Sequence, residues 1–132
     1  MSPERIAQIE LFYRALCSRD WEMMRAMFSE GSELGFSGRS RFAGIYEGPE
    51  AITAVFEQLV DATEGTLGPV LDDSWDICAS PHHVVLLEWF GAKRAGRSLN
   101  AYLYFVSALE ANKIARMYVH SSEQYEFDEF FA

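Results

Sequence analysis

Glu88 is the one ionisable side chain in the run Val84-Val85-Leu86-Leu87-Glu88-Trp89-Phe90. A carboxylate set in such a run is a candidate for proton transfer, because burial disfavours its charged form and moves it toward general acid or base work. The plainer reading is a structural carboxylate, satisfied by the Trp75 indole N–H or another neighbour, or paired with an arginine at the rim of the fold. Asp73 shares one face of the segment 66–79 with Trp75 and Ile77, which makes it a second candidate, although its place near the strand start favours a solvated residue.

Histidine has the intrinsic pKa of a general base at neutral pH. Alternation nevertheless puts His120 on the outer face beside Tyr118, and only a bulge near Ser121-Ser122 would reverse it. His82 and His83 follow Pro81 at a turn, and adjacent strand residues point to opposite faces, so they do not make one metal site. No other His, Cys and acid grouping has ligand spacing, and neither a metal nor a cofactor is expected. Gly35-Phe36-Ser37-Gly38 is one residue short of a GxSxG elbow and does not join a strand to a helix. Cys17 and Cys78 lie far apart without a CxxC pattern, which reads as two reduced thiols. Arg39, Arg41, Lys93, Arg94 and Arg97 read as scattered rim charges paired with local acids.

The elements that position these groups come in the order helices, then strands. Ser2-Pro3-Glu4 starts a helix with Ile6, Ile9, Phe12, Tyr13 and Leu16 at helical spacing. Asp20 caps a second helix with Trp21, Met24 and Phe28 on one face and Gly31 at its end, and Gly48-Pro49-Glu50 opens a third with Ile52, Val55, Phe56 and Leu59 buried. The glycine-rich stretch 31–48 between them reads as short strands and tight turns. Segments 66–79, 83–94, 98–110 and 113–125 read as strands, and the order predicts an α+β domain with an antiparallel sheet. The aromatic and acidic segment 125–131 seals one edge of the core.

Composition narrows the function. The 132 residues suit a single domain, 1–132, and 49% hydrophobic with 23% charged residues is a globular mix. Aromatics at 14% exceed what a core needs and point to a cavity wall or an interface. A formal charge of −9 disfavours nucleic acid and anionic membranes as partners. The N-terminus lacks the pattern of a signal peptide and no apolar run is long enough to span a bilayer, so a cytoplasmic location is expected.

The phrases Phe12-Tyr13-Arg14-Ala15-Leu16 with Asp20, Tyr46-Glu47-Gly48-Pro49-Glu50-Ala51-Ile52, and Asn112-Lys113-Ile114 resemble, in order and spacing, the SnoaL-like branch of the nuclear transport factor 2-like superfamily. The resemblance implies a cystatin-like roll: three N-terminal helices on a strongly curved mixed or antiparallel sheet, enclosing a cone-shaped pocket. It also implies a frequent homodimer across the outer sheet face, without fixing an activity. Aligned with that branch, Leu86, Glu88, Phe90 and Ala92 point into the cone. Alternation adds Leu99, Ala101, Leu103, Phe105 and Ser107 from the next strand, and Ala115, Met117, Val119 and Ser121 from the last. Trp89, Tyr102, Tyr104 and Tyr118 then form an aromatic outer patch, the expected homodimer face.

A ketosteroid-isomerase-like site implies polar groups where this chain has Phe12, Phe36 and Phe105. An epoxide-hydrolase-like site implies Arg at Glu88 and Asp at Phe90 and Val119, and a cyclase-like site an acid where Ser121 and Ser122 stand. Two readings are left. The first is a binding or interaction module of SnoaL-like type, with a small apolar ligand held among Phe12, Phe36, Tyr46, Trp75, Phe90, Phe105, Met117 and Val119, or with the cone filled by those side chains. The second is an isomerase, cyclase or hydratase using Glu88 as acid or base. The phenylalanines tilt the balance toward the first.

Overall fold

Asp20 shows how local chemistry sets the first boundaries: its carboxylate accepts the Met23 N–H at 3.1 Å and caps a six-residue helix. In the computed structural model, which describes residues 3–70 and 75–132, that helix is α2 (Trp21–Ala26), preceded by α1 (Pro3–Ser18). Then follow β1 (Phe28–Phe36), β2 (Gly44–Glu47), α3 (Pro49–Ala62), β3 (Gly68–Pro69), β4 (Asp76–Ala79), β5 (Val84–Arg94), β6 (Arg97–Glu110), β7 (Lys113–Ser121) and α4 (Gln124–Phe130). The Ser2 cap and the Asp73 carboxylate lie outside the described residues.

The sheet runs β2-β1-β7-β6-β5-β3, with β4 also pairing β5. β1 and β7 are parallel and the other pairs antiparallel, so the sheet is mixed. One face of β5, β6 and β7 turns toward α1 and α3, and the buried side chains of these elements form a single core. Phe12 of α1 meets Phe28, Phe56 and Phe105 edge-on with ring centroids 5.5–6.0 Å apart. Edge-to-face rings at such spacing are the favoured packing of aromatic quadrupoles.

Five departures from the expected elements have local causes. Phe28 is not on the second helix but opens β1, because α2 stops at Ala26 and Met27 takes the cap. Gly31, expected as a helix end, instead lies where the β1–β7 register shifts between Phe28 and Glu33. The expected strand 66–79 is two short pieces: β3 faces Phe90–Gly91 and β4 faces Val84–Leu87 on the longer β5. Pro69, which has no N–H to donate, sits at the end of β3.

The other two departures concern the C-terminal part. The register between β6 and β7 slips at Ala108/Leu109, so Ile114 turns inward and is fully buried where simple alternation puts Ala115. Beyond Ser121 the chain leaves the sheet, and the sealing segment is a fourth helix that buries Phe127 and Phe130. Among the described residues no helix is long and apolar enough to cross a membrane.

Candidate functional site

Glu88 is fully buried, on the inward face of β5 with Val84, Leu86, Phe90 and Ala92. The Tyr13 hydroxyl donates to its Oε2 at 2.6 Å, and the Trp89 N–H donates to its Oε1 at 2.8 Å. The short O–H···O distance marks a charge-assisted bond. Tyr13 projects from the buried face of α1, its ring tilted against Trp75 at 5.6 Å and edge-on to Phe90 at 6.4 Å. Cys17, one turn further along α1, completes the group.

Burial, reinforced by the bond to Glu88, pushes the Tyr13 phenol far above the ordinary tyrosine range. Burial also raises the Cys17 thiol, partly offset by its bond to Tyr13 and by the Arg19 charge. Tyr13 therefore acts as a proton-holding donor to a carboxylate, and Cys17 as a neutral thiol beside it. The sequence places Tyr13 on the α1 core face but not against Glu88. Its signal was the polar tip in a buried aromatic stripe, which requires a partner; the partner is 75 residues away.

Phe12, Phe36, Phe90, Phe105, Met117 and Val119 are all buried and do converge. Phe36 packs on Phe56 at 5.8 Å and Phe90 on Phe105 at 6.2 Å, so the rings pack on one another within the cone. Trp75 is half-buried against the same core, and Tyr46, also half-buried, donates its hydroxyl to the Phe42 carbonyl at 2.8 Å. Burial raises the Tyr46 phenol as well. An apolar void of about 10 Å³ remains between Leu67, Phe90, Leu99, Leu103, Phe127 and Phe131, with no polar side chain along it to hold a water. Hollows of about 430 and 400 Å³ lie elsewhere, beside Val70, Gly91 and Asn100 and beside Arg41, Gln58 and Asp61.

His120 is exposed, its Nδ1 3.1 Å from the Ser37 hydroxyl. His82 and His83 lie exposed in the turn before β5, and among the described residues no group of three or more His, Cys, Asp or Glu is arranged to hold a metal. The rim arginines depart from the expected pairing with acids. Arg94 and Arg97 donate to the Phe130 and Glu129 carbonyls, each at 3.0 Å, while Arg41 lies over the Phe42 ring at 5.1 Å. These carbonyls are the ones a helix end leaves without intrahelical partners.

The outer face carries half-buried Trp89 and Tyr104 and exposed Tyr102 and Tyr118, with Trp89 and Tyr102 4.8 Å apart. Gly35 lets the Tyr118 ring lie against the sheet: a Cβ there would stand 2.8 Å from the ring.

No family model and no curated protein matches the chain. Solved structures do. Bal32a, from a soil-derived mobile gene cassette, is similar at 27% identity and a TM-score of 0.89, over 98% of this chain and 97% of its own. A nuclear-transport-factor-2-like protein from Burkholderia xenovorans matches at 14% identity and 0.82, over 100% and 98%. A protein described as a SnoaL-like polyketide cyclase from Jannaschia sp. matches at 13% identity and 0.79, over 100% and 96%. At the last two identities the likeness is one of fold.

Proposed function

We propose that this chain, which has the fold of the nuclear transport factor 2-like superfamily, is a cytoplasmic homodimeric binding module of SnoaL-like type rather than an enzyme. The observation that carries this reading is the packing of the cone. Phenylalanine rings pack on one another where an acid–base site would need room for substrate, far from the few hundred Å³ of a ligand cavity. The surface supports the homodimer. Outward positions of β5, β6 and β7 within 85–91, 100–106 and 116–120 hold no carboxylate, although the chain has 20 acidic residues against 11 basic. A second copy of so acidic a protein approaches most favourably across an aromatic face that holds no carboxylate. The free Cys17 and Cys78 thiols accord with a reducing compartment.

Light scattering at micromolar concentration tests the reading. The expected mass is twice the 15.0 kDa of one chain, falling to one chain in Tyr102→Glu, which puts a charge into the patch without touching the core. A monomeric parent protein would overturn it. The buried Tyr13–Glu88 bond favours a second reading, a small-molecule isomerase, cyclase or hydratase in which Glu88 moves a proton and Tyr13 holds it in place.

A further inference from the structure

Asp128, Gln124, Ser37 and His120 are joined by hydrogen bonds where β1, β7 and α4 meet. The Gln124 amide nitrogen donates to the Asp128 carboxylate at 3.1 Å, and its oxygen accepts the Ser121 N–H at 3.3 Å, which fixes the way the amide faces. Gly38 leaves room for it, since a Cβ there would collide with the Gln124 nitrogen. The Ser37 hydroxyl lies 3.0 Å from both the Gln124 oxygen and the Val119 carbonyl, which are acceptors. Its one hydrogen is committed to them, so it offers only a lone pair to the His120 Nδ1, 3.1 Å away. Neutral His120 therefore carries its proton on Nδ1, and Nε2 stands bare.

The exposed His120 ring is on the outer face, where Tyr104 of β6 is its register partner and Tyr118 precedes it by two residues. It thus adjoins the aromatic patch of the proposed homodimer, and the inference rests on that reading. A nitrogen lone pair covered by a contact needs a donor. The outward donors nearby are the Tyr102, Tyr104 and Tyr118 hydroxyls and the Trp89 indole N–H, and a two-fold contact presents the same donors from the second copy. Charged groups are distant or occupied. Arg116 and its β1 register partner Glu33 lie four residues back along their strands, roughly 13 Å away. Asp76, across β6 and β5, is three strand spacings off, roughly 14 Å. Glu123 and Arg39 are exposed, and Asp128 is engaged by Gln124 and by the Arg39 and Ser40 N–H groups.

We propose that His120 makes the homodimer sensitive to pH: its bare Nε2 accepts a tyrosine hydroxyl of the second copy, and protonation of the ring loosens the contact. Histidine changes charge between about pH 5 and pH 8. Covering an imidazolium with an aromatic surface strips its hydration and supplies no opposite charge in return. Protonation also lowers the repulsion between two copies of net charge −9, which acts the other way. At physiological salt that repulsion is screened over about 8 Å, whereas the loss of hydration inside the contact is not screened. Desolvation therefore sets the sign. Two-fold symmetry doubles it, because each copy brings one ring. The dimer is tight above the histidine range and weakens as pH falls through it.

Sedimentation equilibrium of the full chain at physiological salt reads the effect. Between about pH 7.5 and about pH 5.5 the dimer dissociation constant should rise at least tenfold in the parent protein. In His120→Gln, which keeps an acceptor and takes up no proton, it should rise less than threefold. His82 and His83, exposed in the turn before β5, titrate in both proteins, so the comparison isolates His120. Circular dichroism should show the acid monomer still folded. Long-range proton–nitrogen NMR above about pH 8 should find the Nδ1–H tautomer at His120 whatever the oligomeric state. Equal dissociation constants at both pH values, the same pH dependence in His120→Gln, an unfolded acid monomer or an Nε2–H tautomer would overturn this proposal and leave the homodimer standing. A parent protein that is monomeric at every pH would overturn both.

Discussion

Replacing Tyr13 by Phe removes one oxygen and keeps the ring that packs on Trp75 and Phe90. No cavity opens, so the change reads the 2.6 Å bond to Glu88 almost alone. A hydrogen bond to an ionised partner contributes about 1.5–3 kcal/mol, and Glu88 is buried, so water cannot replace the lost donor at the same site. Oε1 keeps the Trp89 N–H, which places the expected loss near the middle of that range, about 2 kcal/mol. With an unfolding entropy of about 2.1 cal/mol/K per residue, 132 residues convert this to a fall in Tm of about 7 °C. Urea unfolding followed by tryptophan fluorescence, at one protein concentration and with an unchanged m-value, gives the number directly. A cycle with Glu88→Gln should return a coupling above about 1 kcal/mol. A loss within about 0.5 kcal/mol, the scatter of substitutions that disturb nothing, would refute the structural account of this pair. A gain in stability would do more. It would mark the pair as strained, as active sites often are, and would move the weight to the acid–base reading of Glu88.

Two further outcomes follow from the same structure. Tyr13, Tyr46 and Cys17 all hold their protons more tightly in the folded chain, so the unfolded chain releases protons first as pH rises past their ordinary values, about 8.5 for Cys and about 10 for Tyr. Stability should therefore be level in this respect through neutral pH and fall above about pH 9, and Tyr13→Phe should flatten the alkaline limb of a Tm-against-pH curve; a limb of equal slope in both proteins would contradict the assignment. Asp20→Ala removes the cap bond to Met23 and should cost about 1 kcal/mol in urea unfolding, with Asp20→Asn costing less.

Much of the architecture is legible in the sequence because backbone geometry imposes the periods. Leu86, Glu88, Phe90 and Ala92 share a face because a strand alternates, and Ile52, Val55, Phe56 and Leu59 share one because a helix turns every 3.6 residues. The Asp20 cap is equally local, a side chain bonding an amide three residues on. What the sequence by itself determined was thus the order of three helices before a run of strands, most of the buried faces and the lone carboxylate among apolar residues. The tertiary structure alone decided the rest. A one-residue slip between β6 and β7 exchanges Ile114 for Ala115, and no period encodes a bulge. Tyr13 meets Glu88 only because α1 crosses β5, and Arg94 meets the Phe130 carbonyl only because the chain turns back after Ser121. Alternation says which way a side chain points; only the packing of distant elements says what it finds there.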